Sequence, residues 1–484
     1  MDLSTKKLFT AATPVVLRRG IHLDLTGLPP TAERLLELLE LFAAARYNVV
    51  LVQWEDSYPW TVDERFRSPT AYSPEDIVRF RDKAAALGLE LIPLVQCLGH
   101  METPLSVPGY EHLRELPDDE TGLNPLAPGA RELIQSMVDD VLKLMPDVRY
   151  FHLGGDEART FGQNPETEAY IDAHGKGALY LHHVEPVLDA LNRRNIRPIL
   201  WHDMMVDWDS PALTALGRKC DLMVWGYDGH PDIAPATHNT ACIERFVEHG
   251  MTLWGASAYK GCEGNAPERH SSDLPDLAER EENALAWAEL TQRFDLAGVL
   301  VTAWSRWGVD TVQCVPIDAA LDALLMVASC LHDGHPPAGG LEACLAALEE
   351  WGERARFDAC RSSMERLTDL RRRGWIAVMH SRQQLVLAKR DSRRPSARNP
   401  RLGMKPLAQL GGIVKEAERL SNEIKQCFAG LLEPIWIEEY LATRLTPFHD
   451  EYAELRRIAD ALPVPAGRDE PDPTLLHPPT SISR

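Results

Sequence analysis

Two neighbouring carboxylates, Asp156 and Glu157, close the stretch "YFHLGGDE" (150–157), directly after an apolar run and a pair of glycines. Acids of this kind can protonate a leaving oxygen or steady a growing positive charge. Taken alone, the pair has a plainer reading, an N-cap and a first-turn acid for a helix that follows. The same chemistry recurs after the other apolar runs, however. His22 and Asp24 belong to the first run, "WEDSYPW" with Glu55 and Asp56 follows the second, and "QCLGHME" with His100 follows the third. Later runs end in Trp201 and Asp203 of "WHDMM", Trp225 of "WGYD", Tyr259 of "SAYKG" and Trp304 with Arg306 of "AWSRW". Carboxylates accept hydrogen bonds from hydroxyl groups, and indole faces pack the C–H faces of a sugar ring. The set suits a neutral, polyhydroxylated ligand.

Adjacency constrains what the two acids can do. Carboxyl pairs that flank a glycosidic bond stand roughly 5 Å apart in retaining enzymes and come from different strands. Neighbours in extended backbone point to opposite sides and cannot easily approach both faces of one sugar. Divided labour fits better. One acid protonates the leaving oxygen, and the other holds a part of the substrate that itself attacks, such as the carbonyl of a 2-acetamido group. Metal chemistry is the competing reading, with ligands on offer from His22-x-Asp24, His202-Asp203 and His182-His183. None of these has the H-x-H or H-E-x-x-H spacing, and His182-His183 diverge within a helical pattern away from the other groups. The sequence therefore points to no metal and no cofactor. A metal-dependent hydrolase and a non-catalytic sugar-binding protein remain the alternatives.

Eight elements must carry these residues to one place. The expected strands are 20–25, 48–53, 89–96, 150–153, 197–201, 221–225, 251–257 and 298–304, with amphipathic helical stretches between several of them. Thr31 and Ser73 carry the side-chain oxygen that caps a helix N-terminus, and Pro74 occupies a first helical position. Alternation of strand with helix or long loop predicts an α/β chain with a (β/α)8 TIM barrel, whose strand exits share one rim. A doubly wound open sheet would show a Gly-rich phosphate turn after the first strand, and "DLTGLPP" is not one. After residue 335 only helical periods appear. The expected layout is an N-terminal segment (1–18), a catalytic barrel (19–335), a C-terminal all-helical domain (336–462) and a Pro-rich disordered tail (463–484). The helical domain would pack under the barrel or pair two subunits as a homodimer.

Bulk composition narrows the partners. With 51 Lys and Arg against 72 Asp and Glu, the net charge of −21 argues against nucleic acid and anionic membranes. The basic stretch 389–401 reads as a solvated loop. Nine scattered cysteines without C-x-x-C spacing suit reduced thiols in a cytoplasm. No run approaches the roughly 18 apolar residues of a membrane span, and the first residues lack a signal-peptide core.

On "HLGGDE" (152–157), "GHME" (99–102), "LWHDMM" (200–205), "LWGASAYKG" (253–261) and "VTAWSRW" (301–307), the chain resembles the family 20 glycoside hydrolases, the β-N-acetylhexosaminidases. "HLDLTGLPP" (22–30) and "WEDSYPW" (54–60) are similar to the hexosaminidase D branch. The resemblance implies an exo-acting, retaining enzyme that releases terminal GlcNAc or GalNAc through an oxazoline formed by the substrate. It makes Glu157 the general acid and later base, Asp156 the group that polarises the acetamide, and Tyr259 the donor to the acetamido oxygen. Trp201, Trp225 and Trp304 would wall the pocket. His100, with Glu55 or Asp56, would tune the acid from behind, and Asp203 and Asp24 would bind hydroxyls or support other ligands. Two departures stand out. Where most members carry Ser-Arg-His after the first strand, this chain has Thr26-Gly27-Leu28, and Trp304-Ser305-Arg306 replaces the usual Trp-Gly-Glu. Hydroxyl recognition is then expected from His22, Asp24, Glu55 and Arg306.

Overall fold

The eight apolar runs pair as parallel strands: β1 (Arg19–Asp24), β2 (Val49–Gln53), β3 (Glu90–Leu94), β4 (Tyr150–His152), β5 (Arg197–Trp201), β6 (Asp221–Trp225), β7 (Leu253–Lys260) and β8 (Val299–Ala303). Each pairs with its neighbour in chain order, and β1 pairs with β8 to close the barrel. The computed structural model describes residues 7–233, 240–262, 273–306, 308, 311–391 and 404–462. Trp307, most of the basic stretch 389–401, the first six residues and the tail 463–484 lie outside the described residues.

Side chains alternate across each strand, so every second residue enters the barrel. Val49, Leu51, Ile92, Leu94, Ile199, Trp201, Met223, Trp254, Ala256 and Leu300 form one buried apolar cluster there. Helices cover the outside and start as their sequences direct. Thr31 Oγ1 accepts from Arg34 N–H before the helix Ala32–Ala44. Ser73 and Asp76 complete a reciprocal capping box ahead of Pro74–Ala86. A short hairpin, Arg114–Leu116 with Asp119–Leu123, had no signal in the sequence. It props the loop after β3, because Met101 N–H donates to Thr121 O at 3.0 Å and Leu123 N–H to Leu98 O at 2.9 Å.

The C-terminal helices are Leu341–Glu350, Arg354–Asp391, Met404–Cys427 and Pro434–Asp460. Contacts divide the chain into two compact units. The barrel unit runs to Thr368 and also includes Leu420–Thr443. The second unit comprises Asp369–Arg419 and the chain from Arg444 onward. Within it, Trp375 packs on Phe448 at 4.9 Å, and Arg373 bridges Asp369 and Glu416 at 2.7 Å each.

Candidate active site

β4 ends at His152, and no helix begins at the acid pair, since the next one starts at Pro165. That removes the capping reading of Asp156 and Glu157. The chain instead makes a tight turn in which Gly154, Gly155 and Glu157 have φ of 58°, 82° and 44°. A Cβ on Gly154 would lie 1.7 Å from Gln96 Oε1, and one on Gly155 would lie 2.2 Å from the Tyr180 hydroxyl. Only glycine fits at either place. Several backbone groups of the turn have partners that hold them. Gly154 N–H donates to His152 Nδ1 (2.9 Å), Gly155 N–H to Gln96 Oε1 (3.2 Å) and Glu157 N–H to Asp203 Oδ2 (2.9 Å). Tyr180 donates to Gly155 O at 3.0 Å, and Trp201 N–H to Gly154 O at 3.1 Å.

The two acids leave this turn into different surroundings. Asp156 is buried, and its Oδ1 has no hydrogen-bond partner among the described residues. Glu157 sits at the rim with its side chain 38% exposed. His100 stands between them, its Nε2 at 3.6 Å from Asp156 Oδ2 and 3.6 Å from Glu157 Oε2. Burial pushes Asp156 up to about 7, opposed by His100 and reinforced by Asp203. The close imidazole of His100 holds Glu157 below the usual carboxylate range against its partial burial. Burial alone would lower His100, but the charge of Asp156 and its contact with Glu157 raise it to about 10.

The neighbouring strand exits carry a cluster of aromatic rings. Trp201 lies 6.2 Å from Trp304, and Trp225 stacks on Tyr227 at 5.6 Å and 23°. Asp203 does not present a free carboxylate to a ligand, because it accepts from Trp225 Nε1 (3.3 Å) and Glu157 N–H and so fixes both. Asp24 is likewise spent on backbone, accepting from Thr26, Ser305 and Arg306 N–H groups. It ties the exit of β1 to that of β8. His22 is fully buried below Trp304, 4.9 Å away edge to face, and burial lowers it to about 4 despite Asp24. It packs under the floor of the site.

Beside the acids opens a cleft of about 310 Å³ lined by Gln53, Glu55, Gln96, His100, Glu102, Trp304 and Arg306, among others. Glu55 accepts from Gln53 Nε2 (3.0 Å) and Thr103 Oγ1 (3.2 Å), and burial raises it to about 8 against the Gln53 bond. Burial raises Asp56 to about 6, and the opposing charge is that of Arg306.

Tyr259 requires a correction. Trp254 and Ala256 face the barrel core, while Ser257 bonds Asn283 of an outer helix at 2.7 Å, so Tyr259 falls on the outer face. The pairing with β8 slips between Thr302 and Ala303, which leaves Tyr259 without a partner in the ladder and brings Lys260 inward. The Tyr259 phenol is buried, and burial with the charges of Asp318 and Asp24 raises it. Tyr227 is the tyrosine whose phenol lies next to Trp304 and Thr302, within the field of Asp156. Counting by two from Trp225 would have found it. Gln53, Gln96 and Glu102 were missed as well; the same count places Gln53 and Gln96 on the inner faces of β2 and β3. His183 is a packed residue, its Nε2 2.8 Å from Cys97 O. The described residues contain no cluster of three or more metal-ligating side chains.

A closed parallel barrel with an acid pair, a histidine and a ring of indoles at its strand exits is the architecture of a carbohydrate-active enzyme. Residues 18–243 match glycosyl hydrolase family 20, catalytic domain. Hexosaminidase D of Bos taurus is 30% identical over 328 residues, which cover 65% of this chain and 92% of that protein. Hexosaminidase D of Homo sapiens is 30% identical over 335 residues, 67% of this chain and 66% of that one. Among solved structures, the chitobiase of Flavobacterium johnsoniae superposes with a TM-score of 0.55 at 15% identity, over 92% of this chain and 73% of its own. The β-N-acetylhexosaminidase of Bacteroides fragilis gives 0.54 at 16%, over 71% and 72%. The chain belongs to glycosyl hydrolase family 20 and is a glycoside hydrolase.

Proposed function

We propose that this chain is an exo-acting, retaining β-N-acetylhexosaminidase in which the substrate's own acetamido oxygen is the nucleophile. The observation that carries this reading is the buried, unpartnered Oδ1 of Asp156 on a rim whose neighbouring strand exits carry the cluster of Trp201, Trp225, Trp304 and Tyr227. A buried carboxylate oxygen without a donor is costly unless a ligand supplies one. The N–H of an acetamido group does so, and the indoles pack around its methyl group. With that N–H engaged, the carbonyl oxygen turns toward the anomeric carbon, and Asp156 offsets the positive charge that spreads over the amide as the ring closes. Tyr227, kept protonated by burial, donates to the same carbonyl oxygen in the role the sequence had given to Tyr259.

Glu157 transfers the proton to the leaving oxygen and later takes one from water. In the free enzyme the proton of the pair rests on Asp156, since Glu157 is held ionised by His100. An acetamido N–H favours the Asp156 anion, and an aglycone over Glu157 strips water from it. Both effects move the proton to the carboxylate that needs it. Thiols at all nine cysteines fit a reducing compartment such as the cytoplasm.

Aryl β-glycosides of GlcNAc and GalNAc test the reading against the aryl β-glucoside, with a thiazoline inhibitor as control. The N-acetylated substrates should turn over and the glucoside should not. Asp156→Asn should lose on the order of a hundredfold to a thousandfold in kcat. Equal hydrolysis of the glucoside, or an Asp156→Asn enzyme close to wild type, would remove the substrate's amide from the mechanism.

A further inference from the structure

The helix Pro434–Asp460 begins inside the barrel unit, which includes Leu420–Thr443. The segment leading into it is tied to the loop after β1. Thr31 N–H donates to Leu431 O at 2.8 Å, and Thr31 Oγ1 donates to Gly430 O at 2.7 Å. Three side chains of the helix's first turns then reach the strand exits. Trp436 Nε1 donates to Thr70 Oγ1 at 2.7 Å, and Tyr440 donates to Asp273 Oδ2 at 3.0 Å. Between them, Glu439 pairs with the guanidinium of Arg306. Spacings of three and four residues put all three on one helix face.

Arg306 is itself tightly placed. Its backbone N–H is held by Asp24, its side chain is 7% exposed, and it lines the cleft beside Trp304 and Glu55. The guanidinium stem crosses Gly27, where an added Cβ would stand 1.9 Å from Nε. The first strand's exit thus leaves room for an arginine delivered from the last strand. A buried guanidinium without a fixed anion would swing toward the carboxylates around it, Asp56 among them.

We propose that Glu439 is a positioning residue: it holds Arg306 over the cleft as a ligand for sugar hydroxyls, making the start of the C-terminal helix part of the glycone site. This inference rests on the hexosaminidase reading above. Arg306 binds the sugar and Glu439 does not. Loss of Glu439 should therefore weaken binding through Arg306 alone.

The test is steady-state hydrolysis of an aryl β-N-acetylglucosaminide, and of analogues lacking the hydroxyl at C3, C4 or C6, by the full chain and its variants. Glu439→Gln should raise KM roughly tenfold while kcat stays within about twofold, as expected for one charge-assisted contact to bound sugar. Glu439→Asp should recover part of the loss. The penalty should disappear for at least one deoxy substrate. Adding Glu439→Gln to Arg306→Ala should cost nothing further, because residues that act through one another are not additive. An unshifted KM in Glu439→Gln, a penalty equal on every substrate, or a loss that adds to that of Arg306→Ala would overturn the positioning role. A wild-type chain inactive on every N-acetylated substrate would instead sink the hexosaminidase reading and this inference with it.

Discussion

Asp156 and Glu157 share His100 as a neighbour but differ in burial, and that difference sets how the pair titrates. One proton on the pair is the active count, wherever it rests before substrate binds. It leaves the free enzyme near pH 7, the value to which burial raises Asp156, and a second proton arrives only below the ordinary carboxylate range, on Glu157. The profile of kcat/KM should therefore be bell-shaped, with its alkaline limb near pH 7 and its acid limb below about 4.5. The cation at His100 lowers both carboxyls, so His100→Gln should move both limbs to higher pH by about one unit or more. A profile with limbs unmoved in that variant would show that His100 does not govern the pair. At this scale the sequence was readable where a residue's chemistry is rare, as for two acids after two glycines. It misled where side-chain direction decides the role. Tyr259 and Tyr227 both stand near strand ends, and counting by two, from Ser257 for one and from Trp225 for the other, puts Tyr259 outside the barrel and Tyr227 at its mouth.

The turn His152–Glu157 is the element on which the site depends, and its geometry rests on packing as much as on backbone freedom. Gly155 touches the Tyr180 hydroxyl, which also donates to Gly155 O. Gly155→Ala should destabilise the fold by about 2–3 kcal/mol and inactivate the enzyme, combining a clash with strain at positive φ. Adding Tyr180→Phe should recover part of the stability, because the clash is with the hydroxyl. Denaturant melts of the single and double variants check this, and a Gly155→Ala enzyme with wild-type turnover would contradict it. All eight strands were legible, since a buried strand must be apolar and must end where polar loop residues begin. The hairpin at Arg114–Leu123 was not, because three residues of "REL" carry no usable period. Nor was the tie between Thr31 and Leu431, which joins residues 400 positions apart in the chain by backbone groups that every sequence possesses.

For the whole molecule, a cleft that must hold buried acids beside a charged histidine works against the stability of the fold. Three of its groups shift in the same sense. Glu55 rises to about 8 and Asp156 to about 7, both through burial, and His100 rises to about 10 through its acidic neighbours although burial opposes it. Each binds its proton more tightly folded than unfolded, so each adds stability as pH falls: His100 from about 10 to 6.5, Glu55 from about 8 to 4.5 and Asp156 from about 7 to 3.8. Below pH 6.5 a counter-effect begins. His22 and His183 are buried and neutral, both lowered to about 4 by burial, and unfolding frees them to protonate. Their contribution is full above 6.5 and is lost as pH falls to about 4, at ~3 kcal/mol each. Stability should therefore climb from pH 9 to about 6.5 and level off below, where the gains at Glu55 and Asp156 offset the losses at His22 and His183. Glu55 lines an open cleft, and solvent there screens part of its shift. Glu55→Gln should still raise the unfolding free energy at pH 8.5 by about 1–3 kcal/mol and flatten the alkaline limb. At pH 4.5, where unfolded Glu is half protonated, the two proteins should differ little. Denaturant melts across this range decide the matter: a Glu55→Gln variant less stable than wild type at pH 8.5 would mean that the carboxylate supports the fold, not that the site strains it.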